Sequence, residues 1–283
     1  MGALWMLAAG LLFACMGVFV KLGADHFSSA ELVFYRSIFG LAALFFVAGG
    51  RNMALATPHW RGHLWRGLTG LASLATYFYV ITALPLATAV TLNYTSPLFL
   101  AVVTTLLLRE HLHWPLAAAV ALGFLGIAMV LRPTLNEDQF GVGLLGLASG
   151  FFACMAYINV RSLGRLGEPD WRVVFYFTLV CTVLTGLWML GRGFSPLTGE
   201  NIPLLLGLGL TATLAQLALT RAYRTGKTLV VGSLSYTTVV FSSLFGALIW
   251  GELLTAESWL GIALVVLSGV ISLRTTAPPA KVE

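Results

Sequence analysis

The feature that most constrains this chain is a succession of apolar segments running from one end of the sequence to the other. Two of them, 98–108 and 115–131, contain no charged residue. Segments of about 20 apolar residues have the length of a helix that crosses a bilayer, whereas the strands of a membrane β-barrel are about 10 residues long and alternate in polarity. We therefore predict an all-α integral membrane protein.

The composition and the distribution of charge agree with this class. Of the 283 residues, 58% are hydrophobic and 10% are charged, against about 25% charged residues in a soluble domain. The net charge of +5 comes from Lys and Arg in short segments between the apolar runs. No basic cluster interleaves with aromatic residues, so nucleic acid is excluded as a partner, and a lipid bilayer is expected.

The apolar windows predict ten transmembrane helices joined by loops too short for a soluble domain. The predicted spans are 3–21, 30–49, 65–83, 87–108, 115–132, 141–160, 172–191, 203–222, 229–250 and 258–274. The polar residues 276–283 follow as a tail.

The positions of Lys and Arg predict the orientation of these spans. Of the sixteen basic residues, Lys21, Arg132 and Arg192 fall in loops on one side, Arg36 falls within the second span, and the other twelve fall on the opposite side. Cytoplasmic loops carry the excess of Lys and Arg. Both termini and the tail are therefore predicted to be cytoplasmic.

The two halves of the sequence resemble each other, which indicates an internal repeat of five spans over 3–135 and 140–275. Five matches follow in the same order at offsets between 139 and 142 residues. They are Phe13-Ala14-Cys15-Met16 with Phe152-Ala153-Cys154-Met155, Val33-Phe34-Tyr35 with Val174-Phe175-Tyr176, Asn93-Tyr94-Thr95 with Ser235-Tyr236-Thr237, Glu110 with Glu252, and Arg132 with Arg274.

The number of spans in each repeat determines how the copies are related. Because five is odd, the second copy enters the membrane from the opposite side, so the repeats are predicted to be inverted. Inverted repeats are a recurrent plan of secondary transporters, in which a central site opens to one face and then to the other. This arrangement favours transport over a receptor or an intramembrane enzyme.

Two stretches carry a resemblance to a known family. The stretch 92–99 followed by Arg109-Glu110, and its echo Tyr236-Thr237-Thr238 followed by Gly251-Glu252, resemble the EamA-type drug/metabolite transporter superfamily, and the resemblance extends over about 3–275. It implies a carrier of amino acids, nucleotides, vitamins or related metabolites in the cytoplasmic (inner) membrane, often an exporter. It also implies a central cavity formed mainly by spans 1, 3, 4, 6, 8 and 9.

Arg36 is a charged residue within a span and therefore a candidate for substrate binding. It lies about six residues into the second span, roughly 9 Å deep at 1.5 Å per residue, where a charge is costly unless it pairs, snorkels or faces water. One interpretation is snorkelling or pairing with Glu31. The other is a cavity-facing cation that receives a substrate carboxylate or phosphate.

Pro97 is predicted to bend the fourth span, because proline has no N–H and frees the carbonyl group of Asn93. Broken helices that present polar groups at mid-membrane are typical of transporter sites. Asn93 and Tyr94 are therefore candidate cavity residues, and so are Tyr236 and Thr237 by symmetry. A plain kink is the alternative. Val239 stands at the position of Pro97 in the second half, which makes unequal gates a further expectation.

Other polar residues within the spans need hydrogen-bond partners in hydrocarbon. Tyr77, Tyr157 and Gln216 are the candidates chosen for the cavity, with helix–helix hydrogen bonding as the alternative. Glu110 and Glu252 fall at the ends of spans 4 and 9, where helix-end ion pairs and gate contacts are both consistent with the sequence.

The sequence shows no enzyme, metal or cofactor site. No nucleophile–base set or paired aspartates fall within the spans, and the pair His59 and His63 has no Cys, Asp or Glu at a suitable spacing. No Asp or Glu lies in the middle of a span, so the sequence gives no sign that transport is coupled to protons.

The resulting prediction is a secondary transporter, most simply an exporter, of amino acids or related small polar metabolites by alternating access. The alternative is an importer or exchanger of a vitamin or a nucleotide-like metabolite. The sequence does not determine the oligomeric state and is compatible with a monomer.

Overall fold

The computed structural model describes residues 2–49, 55–96, 98–99, 102–103, 114–131, 137–225, 234–252 and 254–275. Ten helices and no strand lie within these ranges, and each predicted span overlaps one of the ten; residues 96, 98–99 and 102–103 of the predicted fourth span are helical as well. The helices are α1 Gly2–Gly23, α2 Ser29–Gly49, α3 Trp60–Ala83, α4 Leu86–Asn93, α5 Trp114–Leu131, α6 Glu137–Arg165, α7 Asp170–Arg192, α8 Ile202–Thr225, α9 Thr237–Trp250 and α10 Ala256–Thr275.

The lengths and the surface of the helices suit a bilayer. Within the described ranges, four helices are long and apolar enough to cross it, namely α1, most of α6, α7 and most of α8. The outside of the bundle carries large apolar side chains, and Leu4, Leu190 and Leu248 are 71%, 77% and 73% exposed. A surface of this kind would be a liability in water and is expected against lipid.

Prolines and glycines set several helix boundaries. Pro85 and Pro169 directly precede α4 and α7, where the missing N–H costs nothing. At the carboxyl end of α9, Gly251 adopts the left-handed conformation with φ of +63°, which a residue with a Cβ atom rarely tolerates.

The main packing contacts join helices of the first half to helices of the second. Among the described residues, α1 packs against α8, α3 against α6, α5 against α10, α2 against α7, and α4 against α9. Exchanging α1–α5 with α6–α10 maps this set of pairs onto itself. The core of the bundle therefore lies between the two halves.

Helical geometry is interrupted at matching places in the two halves. The chain turns at Tyr94 after α4 and at Tyr236 before α9. The next residue, Thr95 or Thr237, donates its hydroxyl hydrogen to the carbonyl oxygen three residues earlier, with an oxygen–oxygen distance of 2.6 Å in both cases. The second break forms with Val239 in the place of proline, so proline is not required for it. Pro97 and Glu110 lie outside the described residues.

Candidate functional site

A cavity with both polar and apolar side chains in its lining lies between the two halves of the bundle. Its space between atoms is about 640 Å³, which includes space open to the outside, and its lining comes from α1, α2, α3, the end of α4, α6, α7 and α8. The lining side chains that carry polar groups are Arg36, Arg66, Ser73, Tyr77, Asn93, Tyr94, Tyr157 and Gln216.

Six of the eight residues predicted for a cavity therefore lie together at this one. They are Arg36, Tyr77, Asn93, Tyr94, Tyr157 and Gln216. Tyr236 and Thr237 are not among the lining residues. The ring of Tyr236 packs 6.5 Å from that of Tyr94, centroid to centroid, and Thr237 lies against Gly10. Helices α2 and α7 also contribute to the lining, although the family resemblance implied a cavity formed mainly by spans 1, 3, 4, 6, 8 and 9.

Two arginines share one aromatic ring in the cavity. The guanidinium carbon of Arg66 lies 4.2 Å from the centre of the Phe177 ring, and that of Arg36 lies 5.3 Å from it. Arg36 is 4% exposed and Arg66 5%, which places both cations inside the protein. A cation over an aromatic face gains a modest electrostatic attraction.

Gly70 makes room for this arrangement. It lies one helical turn after Arg66 on α3, and a Cβ atom added there would come within 2.1 Å of Arg66 Nη1 and 2.7 Å of the Phe177 ring. Any other residue at this position would displace the guanidinium group or the ring.

Neither arginine has an acidic partner within the described part of the chain. The ion pairs of Lys21 with Glu252, and of His63 and Arg172 with Glu168, lie away from the cavity. The Nε and Nη1 atoms of both Arg36 and Arg66 have no hydrogen-bond partner among the described residues. Buried charged donors left unpaired are costly, so this part of the cavity is suited to receive an anion.

A hydrogen-bond network holds the cavity end of α4 in place. The Asn93 side-chain nitrogen donates to the hydroxyl group of Ser149 at 3.0 Å, and the Ser73 hydroxyl group donates to the Ser149 carbonyl at 2.9 Å. The Tyr94 hydroxyl group donates to the hydroxyl group of Thr238 at 3.0 Å. Asn93 and Tyr94 thus tie the first half to α6 and α9 of the second.

Two further polar side chains, those of Tyr77 and Gln216, belong to the lining of the cavity. The Gln216 amide and the Tyr77 hydroxyl group make no hydrogen bond to the described residues. Gln216 and Arg36 also line a smaller adjoining cavity between α2, α7 and α8. These groups are available to a bound molecule or to water.

Lys21 and Glu252 meet at one end of the bundle, which we call the Glu252 end. Their side chains form an ion pair, and the other Glu252 oxygen accepts a hydrogen bond from the Leu86 backbone N–H at 2.9 Å. The Lys21 ammonium group also lies over the Trp250 ring, 5.1 Å from its centre. These contacts connect α1 and α4 to the segment after α9.

Glu31 lies at the same end and does not pair with Arg36. Its carboxylate accepts hydrogen bonds from the backbone N–H and hydroxyl group of Ser28, both at 2.8 Å, and from the Ser195 N–H at 2.5 Å. Glu31 therefore caps α2 and ties it to the α7–α8 loop, which removes the acidic partner that the sequence offered to Arg36.

Glu168 connects the two halves at the opposite end, which we call the Glu168 end. Its buried carboxylate accepts hydrogen bonds from the Thr57 hydroxyl group and, at 2.8 Å, from Arg172 Nη1, and His63 Nε2 lies 3.3 Å away. Burial alone would raise the pKa of Glu168, but these donors stabilise the carboxylate more, and the pKa is lowered.

Arg66 is the site residue that the sequence analysis did not select. The predicted third span begins at 65, which placed Arg66 in the membrane interface as a topological charge. In the structure α3 begins at Trp60, two residues after Pro58, so Arg66 lies nearly two turns inside the helix. A helix start assigned from Thr57-Pro58 would have revealed this depth.

The comparison with known protein families divides the chain into the same two halves. The model of the EamA-like transporter family matches residues 1–132 and again residues 140–274. A solved crystal structure that is 20% identical covers 96% of both chains with a TM-score of 0.70, which shows a shared fold.

Curated proteins of similar length also match over nearly the whole chain. A pseudopaline exporter of Pseudomonas aeruginosa is 30% identical over 97% of this chain and 96% of its own. A riboflavin transporter of Rhizobium johnstonii is 31% identical over 96% and 91%. An uncharacterized transporter of Helicobacter pylori is 29% identical over 95% and 93%.

Proposed function

Since the chain belongs to the EamA-like transporter family, we propose that it is a secondary transporter that moves a small polar metabolite across the cytoplasmic membrane by alternating access. The polar cavity enclosed between two halves of an apolar bundle is the observation that carries this proposal. A hydrated site near the middle of such a bundle is where transporters bind their substrates.

We propose in addition that the two halves are inverted repeats. Three observations support this relationship: the family model matches twice, the helix pairs map onto themselves when the halves are exchanged, and the breaks at Tyr94 and Tyr236 carry the same threonine hydrogen bond. Two equivalent halves give a simple route to two opposite open states, because rocking one half against the other opens one end as it closes the other.

Contacts join the halves at both ends of the bundle in this structure. Lys21 pairs with Glu252 at the Glu252 end, and Thr57 and His63 contact Glu168 at the Glu168 end. In the proposed cycle each set of contacts breaks in turn. With both termini in the cytoplasm, the Glu252 end faces outward and the Glu168 end faces the cytoplasm.

Export of amino acids or related metabolites is the first candidate for the physiological reaction. The relative that exports pseudopaline favours outward transport. The riboflavin transporter favours the second candidate, an importer or exchanger of a vitamin or nucleotide-like metabolite. Both candidate reactions use the same polar site, which opens alternately to either face of the membrane.

Transport by purified protein in liposomes tests the proposal. Proteoliposomes loaded with a mixture of labelled amino acids or with riboflavin should release at least one of these solutes faster than protein-free liposomes do. A matched preparation of the Glu252→Arg variant, which places two cations at the Glu252 end, should be slower. A protein that binds a solute and never moves it across the bilayer would not be a carrier.

A further inference from the structure

We propose that Arg36 and Arg66 form a paired receptor for a carboxylate or phosphate group, so that the transported molecule is an organic anion. The inference rests on the proposed function, because it assigns a substrate class to the same cavity. It adds Arg66, a residue outside every predicted site, and it excludes cationic substrates.

The geometry places both cations at one point of the cavity. Arg36 comes from α2, Arg66 from α3 and Phe177 from α7, and both guanidinium groups approach the Phe177 ring within 5.3 Å, from carbon to ring centre. Two planar guanidinium groups offer the donor forks that match the oxygens of a carboxylate or phosphate. The arrangement therefore provides two cations and several N–H donors for a single anionic group.

The electrostatics of the two arginines favour an anion. Two like charges near one ring repel each other, and no carboxylate of the described residues pairs with either cation. Phe177 offsets only part of the cost of burying them. In the part of the chain that the structure describes, the Nε and Nη1 donors of both arginines have no hydrogen-bond partner. A bound anion would satisfy these donors and neutralise the repulsion at the same time.

The rest of the lining indicates an organic anion rather than a simple ion. The Tyr77 hydroxyl group and the Gln216 amide belong to the lining of the same cavity and make no hydrogen bond to the described residues, and Phe13 and Met16 supply apolar surface. A molecule with an anionic head and a short polar or apolar body would use all of these groups. A cation would be repelled by the arginines and would leave their donors unpaired.

Thermal unfolding of the purified full-length protein in detergent tests the binding. The probes are succinate, inorganic phosphate and the neutral analogue succinamide, at one pH and with ionic strength held constant by chloride. We expect succinate or phosphate to raise the Tm and succinamide to leave it unchanged. Stabilisation by succinate identifies a carboxylate receptor, and stabilisation by phosphate a phosphate receptor. Equal effects of all three, or no effect of either anion, would overturn the inference.

Three variants show whether the two arginines are responsible. Arg36→Gln and Arg66→Gln should weaken anion binding by about tenfold or more, whereas Arg61→Gln should bind as the wild type does. Arg61 is exposed at the start of the same helix as Arg66 and lies over Trp60, so it is a matched control. Without ligand, the Gln variants at 36 and 66 should unfold at the same or a higher temperature, because they relieve buried charge repulsion.

The same variants separate this inference from the proposed function. If they transport a solute in proteoliposomes at the wild-type rate, the anion receptor is wrong and the carrier function stands. If anion binding depends on both arginines but no solute crosses the bilayer, the receptor stands and the carrier function is wrong.

Discussion

Lys21 near the end of α1 forms an ion pair with Glu252, which follows α9, and each side chain is 16% exposed. The two residues belong to different halves of the chain, so their contact has to break for the halves to separate at the Glu252 end. The same carboxylate also accepts the first N–H of α4 from Leu86. Glu252 thus joins three segments at this end of the bundle.

Glu252→Gln should increase the population that is open at the Glu252 end. Glutamine preserves an acceptor for the Leu86 N–H but removes the charge that holds Lys21, at a cost of about 1.5 kcal/mol or roughly tenfold in the ratio of open to closed forms. The measurement is the labelling rate of an Ala153→Cys reporter, which lines the cavity, in a background without native cysteines. The membrane-impermeant thiol reagent is applied from the Glu252 end.

The charge-swapped variant Lys21→Glu with Glu252→Lys provides the control. It should label more slowly than either single substitution, because opposite charges again face each other. Labelling of the swapped protein that is as fast as that of Glu252→Gln would mean that the pair does not hold this end closed.

Glu168 makes the stability of the opposite end depend on pH. Because hydrogen bonds lower the pKa of Glu168 in the folded protein, its stabilising effect is complete above the unfolded pKa of about 4.3. The effect is lost as the pH falls through the lower folded pKa. The Tm difference between the wild type and Glu168→Gln should therefore be constant at neutral pH and shrink below about pH 4. Glu200→Gln, which alters an exposed carboxylate, should follow the wild type.

The sequence predicted the positions of the helices because the bilayer imposes a single requirement along the chain. Apolar length determines each span, and prolines such as Pro85 and Pro169 mark helix starts directly. The boundary of α3 was placed five residues late, since the polar and aromatic residues between Trp60 and Trp65 lower the hydropathy of the window although they are helical. Hydropathy measures apolar character, and the first turn of α3 is helical although exposed residues such as Trp60 and Arg61 make it less apolar than the rest of the span.

The candidate site was only partly predictable for a related reason. Arg36, Asn93 and Gln216 stand out in the sequence because each is a polar residue within an apolar run. Arg66 does not stand out, because its position near a span end is also where topological charges occur. Its role depends on Gly70 and on Phe177 of the other half. A contact between distant segments is a tertiary property that no local pattern contains.

Thr95→Val and Thr237→Val test the equivalence of the two halves. Each substitution keeps the shape of the side chain but removes a hydroxyl group that donates to a carbonyl oxygen at a helix break. We expect each to lower the free energy of unfolding by about 0.5–1.5 kcal/mol, the net contribution of one hydrogen bond, and the two effects to be similar. Thermal or denaturant unfolding in detergent measures both. A loss confined to one variant would argue against equivalent breaks.

Gly70→Ala should impair anion binding and transport more than it impairs folding. The added methyl group meets the end of the Arg66 side chain, which is flexible and can turn away, and the edge of the Phe177 ring. Moving the guanidinium group removes half of the proposed receptor, so anion affinity should fall about tenfold, while stability should change by no more than about 1–3 kcal/mol.

Gly141→Ala on α6 is the matched control, since nothing lies within 4 Å of its Cβ position. The control should keep full transport and gain roughly 0.5–1 kcal/mol of helix stability. If both variants transport equally well, transport does not depend on the position of the Arg66 guanidinium group that Gly70 allows. That result would argue against the paired receptor.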